Sequence, residues 1–139
     1  MSNLKRELQL SLSVLMLLVM SSLGGCISDV KPVMHSVLEV AATQQDQFCS
    51  GVSDVASPEW QKCKDLAAAV YGAQVALDVK SDDGVLTAVA GVLEGLKATW
   101  HVRCDGVTEG ARYGFCVASK TITNALIEVY GAVNEGASK

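Results

Sequence analysis

The sequence predicts an all-α protein, an up-down four-helix bundle built from two disulfide-closed helical hairpins. Three observations carry this. Leu86, Val89, Leu93, Leu96 and Trp100 recur at alternating steps of three and four, the apolar stripe of one helix face. Alanine, valine and glycine dominate, only two prolines occur, and no convincing strand is present. A weak internal repeat divides the chain in two. Val37-Leu38-Glu39 begins twelve residues before Cys49, and Val92-Leu93-Glu94 begins twelve before Cys104. Gly51-Val52 and Gly106-Val107 follow those cysteines, a second cysteine comes at 63 or 116, and each half ends in Val-Tyr-Gly-Ala. Chance likeness in an alanine- and valine-rich chain is the competing account.

The elements follow in order. Pro32 suits a first helical turn, where its missing N–H is no loss. The first helix then runs to about Cys49, with Val33, Val37, Ala41 and Phe48 on one side. Residues 50–57, with Gly51 and Asp54, form a loop. Ser57-Pro58-Glu59 combines a hydroxyl cap, a first-turn proline and an acid near the positive end of the dipole. The second helix spans 58 to about 79. Residues 66–77 are apolar apart from Gln74, which predicts the most buried helix of the four. Residues 80–84 form the next break, where Asp82 and Asp83 serve as caps. On the third helix Gly91 and Gly95, one turn apart, imply close approach by a neighbour, since each costs about 1 kcal/mol relative to alanine. Residues 104–114 carry three glycines and read as a loop. The fourth helix starts near Phe115, with Phe115, Ala118, Ile122, Leu126, Val129 and Val133 inward, and residues 134–139 fray.

The N-terminus supplies an address. Lys5 and Arg6 precede an apolar run over residues 8–20, the order of a secretory signal. The uninterrupted apolar stretch, residues 14–20, is far shorter than the roughly 20 residues a spanning helix needs. An Ala-x-Ala-like exit, usual for a plain signal peptide, is absent. The exit is instead Leu23-Gly24-Gly25-Cys26, which resembles the lipobox of bacterial lipoproteins. That resemblance implies a signal peptide over residues 1–25, cleavage after Gly25 and acyl chains on Cys26. Residues 26–31 are then the lipidated cysteine and a short tether, and residues 32–139 the helical domain. Ile27 and Ser28 lack the aspartate associated with inner-membrane retention, so the resemblance implies a periplasm-facing position on the outer membrane.

The 114 residues from Cys26 onward suffice for one domain with a thin core. Loss of Lys5, Arg6 and Glu7 takes the net charge from −4 to −5. An acidic surface argues against nucleic acid and against electrostatic adhesion to anionic lipid. Membrane attachment falls to the acyl chains. The chain has five cysteines, and lipidation of Cys26 leaves four that can pair. Three pairings exist; the repeat favours Cys49 with Cys63 and Cys104 with Cys116, because each pair flanks one hairpin turn. Structural zinc is the rival, but zinc cysteines usually come as closely spaced pairs and no Cys-x-x-Cys occurs. Neither His35 nor His101 falls in a recognisable nucleophile–base arrangement, and no phosphate-binding loop follows a strand. No catalytic residue, metal ligand or cofactor is assigned.

These features point to a lipid-anchored, non-enzymatic partner-binding or scaffold protein of the bacterial envelope. In size, lipobox and helical class the chain resembles the four-helix pilotin lipoproteins, which escort secretin subunits. Phe115-Cys116-Val117, Thr121 and residues 126–130 resemble the Tai class of type VI immunity proteins. The alternative role is an immunity or entry/superinfection-exclusion lipoprotein that neutralises an incoming protein. In a bundle entered from the membrane, the first and third turns meet at the end far from the lipid. That end gathers Asp54, Glu59 and Trp60 from one turn and Glu109, Arg112 and Tyr113 from the other. Tryptophan, tyrosine and arginine are the types most enriched at binding hot spots. The bland account is that the bridges serve stability alone and the two aromatics cap the core.

Overall fold

The computed structural model describes residues 30–137; Cys26 and residues 1–25, read from the sequence as a signal peptide, lie outside them. Four α-helices follow one another: α1 Val30–Cys49, α2 Pro58–Val79, α3 Asp82–Cys104 and α4 Ala111–Ala137. They are 20 to 27 residues long, or about 30–40 Å at 1.5 Å per residue. Two disulfides close the first and third turns, Cys49–Cys63 and Cys104–Cys116, each with its Cα atoms 5.7 Å apart. The fold is the up-down bundle of two stapled hairpins.

Its cross-section is a rhombus. α1 and α3 touch across the short diagonal, and α2 and α4 occupy the far corners, with no close backbone approach between those two among the described residues. α2 packs most extensively on α3. The central pair accordingly supplies most of the core: Met34, Val37 and Leu38 from α1, and Val85, Val89, Val92 and Leu96 from α3, with Leu66 of α2 and Leu126, Val129 and Val133 of α4 packed against them. Antiparallel register between α3 and α4 is pinned near both ends. Trp100 Nε1 donates to the Cys116 carbonyl at 2.8 Å, and the Tyr130 hydroxyl donates to the Leu86 carbonyl at 3.1 Å.

Several boundaries depart from the sequence reading. α1 takes Val30 and Lys31 into its first turn, two residues before the start at Pro32 that the sequence suggests. Ser57 caps α2 as expected, its hydroxyl accepting from Trp60 N at 3.1 Å. The break before α3 is only Lys80 and Ser81; Asp82 and Asp83 lie within its first turn, where the helix dipole favours negative charge. α4 begins at Ala111, four residues before Phe115, and stays helical through Ala137. The Trp100 bond and the second disulfide set the rotation of α4, which buries Cys116, Ser119 and Thr123 and leaves Ala118 and Ile122 only half-buried.

α2 is not the most buried helix. Of residues 66–77 only Leu66, Val70, Ala73 and Ala76 are buried, because α2 stands at a corner with neighbours on one side. The glycine pair on α3 also divides. A Cβ on Gly95 would meet Leu66 Cδ1 at 3.1 Å, the close approach that the sequence implies, whereas one on Gly91 meets nothing within 4 Å. Gly91→Ala is therefore expected to stabilise the bundle by about 0.5–1 kcal/mol through helix propensity. Gly95→Ala should gain less than Gly91→Ala, since Leu66 must give way in a filled core. Paired urea titrations check the order, and equal gains would contradict the packing argument.

Candidate functional site: the disulfide-closed end of the bundle

Both stapled turns begin with the same local chemistry, one repeat apart. Cys49 and Cys104 end α1 and α3, and Gly51 and Gly106 follow at φ +82° and +81°, a left-handed conformation open to glycine at little cost. Val52 N then donates to the Cys49 carbonyl at 3.2 Å, and Val107 N to the Cys104 carbonyl at 3.1 Å. The repeat extends to burial: Val37 and Leu38, like Val92 and Leu93, are in the core. The same offset of 55 residues pairs Gln44 with Thr99, both fully buried polar residues, and Phe48 with Arg103.

That last pair joins the two halves. Arg103 Nε donates to the Phe48 carbonyl at 3.0 Å, tying the end of α3 to the end of α1. Arg112, in the first turn of α4, donates to the Arg103 carbonyl from Nε at 3.3 Å and from Nη2 at 2.9 Å. Both arginines thus supply donors for carbonyls at helix ends, which otherwise lack partners. Beneath them the Phe48 ring meets Phe115 edge to face, with centroids 5.6 Å apart. Partial burial, then the adjacent Arg112 charge, holds the Arg103 guanidinium below its ordinary value, and Glu59 pulls the other way. Glu59, Arg103 and Arg112 therefore form one electrostatic cluster drawn from α2, α3 and α4.

Of the six residues singled out in the sequence, Glu59 and Arg112 are brought together around Arg103. Asp54 is turned onto its own loop: its Oδ1 accepts from Ala56 N at 3.0 Å, and its carbonyl accepts from the Ser57 hydroxyl at 2.7 Å. Trp60 is half-buried in the first turn of α2. Glu109 is exposed in the loop, and Tyr113 is 46% exposed on α4 rather than in the loop. The sequence reading missed Arg103, Phe48 and Phe115 as the groups that join the turns, although the 55-residue offset already sets Arg103 opposite Phe48. It also missed Val55, 71% exposed beside Asp54.

The rest of the chemistry is spread along the helices. His35 lies 3.5 Å from Glu39 on the exposed face of α1, and His101 3.2 Å from Asp105, the exposed residue that follows α3. The Lys120 ammonium stands 5.0 Å from the centre of the Trp100 ring. The four cysteines beyond Cys26 are consumed in disulfides, and no cluster of three or more histidine, cysteine or acidic side chains suited to a metal occurs among the described residues. Among those residues no helix is long and apolar enough to cross a membrane. No family model, curated protein or solved structure matches the chain, so its reading rests on its own residues and geometry.

Proposed function

We propose that the chain is a lipid-anchored protein of the bacterial envelope that binds another protein, without catalysis, through the stapled end of the bundle. The observation that carries this reading is the joining of two disulfide-closed turns by Arg103, whose own carbonyl Arg112 holds within the second turn, into one stiffened surface. Loops ordered in advance lose less entropy on docking, so more of the contact energy appears as affinity. The surface offers Trp60, Tyr113 and Val55 for apolar contact beside the Glu59, Arg103 and Arg112 charges, a mixture suited to a protein partner. The anchor rests on the Leu23-Gly24-Gly25-Cys26 exit.

The test is cross-linking in intact cells, followed by capture of the full chain from membranes. Cys26→Ser is expected to move the protein to the soluble fraction. Trp60→Ala, Arg112→Ala and Tyr113→Ala are each expected to lower recovery of one envelope protein by about tenfold, the equivalent of 1.4 kcal/mol. Circular dichroism and thermal unfolding of the same variants separate lost binding from lost folding. Unchanged recovery in all three folded variants would exclude the stapled end. A toxin recovered as the sole stoichiometric partner would replace the scaffold role with the immunity role.

A further inference from the structure

α2 presents more apolar surface than the bundle uses. Its residues 66–77 have the composition of a helix covered on all sides, yet among the described residues the outward face is bare. Tyr71 is 70% exposed, Val79 69% and Val75 42%. The contrast with the other half is direct. Tyr130, the repeat counterpart of Tyr71, is half-buried with its hydroxyl on the Leu86 carbonyl.

The charges along this face supply the direction. Lys64, Tyr71 and Asp78 are spaced by seven residues, two helical turns, so they stand nearly in line. All three are exposed, and neither Lys64 nor Asp78 forms an ion pair among the described residues. The line is self-complementary: turned end for end about Tyr71, it brings Lys64 onto Asp78 and Ala67 onto Val75. Alongside Tyr71, Gly72 opens the surface, since a Cβ there would meet nothing within 4 Å.

We infer that a second copy of this chain covers this face, with the two α2 helices antiparallel and a two-fold axis passing by Tyr71. Such an interface uses the same patch on both subunits and closes on itself. Ala67, Tyr71 and Val75 form its apolar centre, and a Lys64/Asp78 pair closes each end. Exposed ion pairs add little affinity by themselves; their work here is to choose orientation. A parallel pair would set Lys64 against Lys64 and Asp78 against Asp78, and like charges opposite one another are strongly disfavoured. The contact begins beyond Cys63 and leaves both stapled ends free, pointing in opposite directions. Two anchors at opposite ends then reach one bilayer when the helix axes lie along its surface, in place of the upright arrangement that holds the stapled end far from the lipid.

The test is sedimentation velocity of the full chain in detergent, with charge reversals at the two flanking positions. Wild type is expected to dimerise reversibly. Lys64→Asp or Asp78→Lys alone should weaken dimerisation by about tenfold or more, because like charges then face each other twice. The double variant Lys64→Asp/Asp78→Lys should recover it, and an equimolar mixture of the two single variants should form a mixed pair. Both sites are exposed, so thermal unfolding should change little. A wild type that stays monomeric throughout, or a dimer indifferent to either reversal, would overturn the inference. So would a monomer that binds phosphatidylethanolamine vesicles and loses that binding on Tyr71→Asp, since lipid would then be the occupant.

Discussion

Removing the Cys104–Cys116 bridge with paired alanines is expected to lower the midpoint of thermal unfolding by about 12–24 °C. The bridge closes a loop with a sequence separation of 12, and the chain-entropy argument gives about 3 kcal/mol for a loop of that size. For a domain of roughly a hundred residues each kcal/mol moves the midpoint by about 4–8 °C. Cys49–Cys63, with a separation of 14, has nearly the same entropic weight, but the two sites differ in packing. Cys104 and Cys116 are 3% and 2% exposed, whereas Cys49 is only half-buried. Cys104→Ala/Cys116→Ala therefore also loses sulfur contacts in the core and is expected to cost more than Cys49→Ala/Cys63→Ala. Access reverses the order under a thiol reductant: the Cys49–Cys63 bridge should open first. Differential scanning calorimetry of the two paired variants and mass spectrometry of partly reduced protein check both orders. A larger loss at Cys49–Cys63 would mean that loop closure outweighs burial here.

Helix order, the α2 start and the cysteine pairing were legible because each rests on local chemistry. Ser57 needs only its own next turn to cap α2, and the repeat places each cysteine beside its hairpin turn. The missing parts depend on neighbours distant in sequence. Residues 111–114 read as loop because Gly110 and Gly114 bracket them, yet Arg112 reaches the Arg103 carbonyl and the second disulfide holds the turn in place. The inward face of α4 follows a bond from Trp100, sixteen residues earlier, which no periodicity within α4 encodes. The outward face of α2 is the reverse case. Its composition says covered, and among the described residues nothing covers it. The stapled end was legible as two turns meeting. Its organising arginine was not, since Arg103 stands at the position where the first half carries phenylalanine.

Phe48→Ala is expected to destabilise the domain by about 3–5 kcal/mol, the range for removing a fully buried aromatic ring. That is a large share of the roughly 5–15 kcal/mol that holds a domain of this size folded. Phe48 is 0% exposed and sits where α1 ends, one residue before its disulfide and against Phe115 on α4. Its backbone carbonyl, which receives Arg103, survives the substitution, so the variant isolates the ring from the hydrogen bond. Phe115→Ala, at a half-buried position, should cost less. The double variant should fall short of the sum by about 0.5–1.5 kcal/mol, the coupling of one edge-to-face pair. Urea titration of the four proteins closes the cycle. Full additivity would mean that the two rings touch without supporting each other, leaving the tie between the two stapled turns to the Arg103 bond on the Phe48 carbonyl. With coupling present, losing the Phe48 ring should also speed amide exchange in residues 105–110, in the other hairpin, because that loop rests on helix ends the ring holds together.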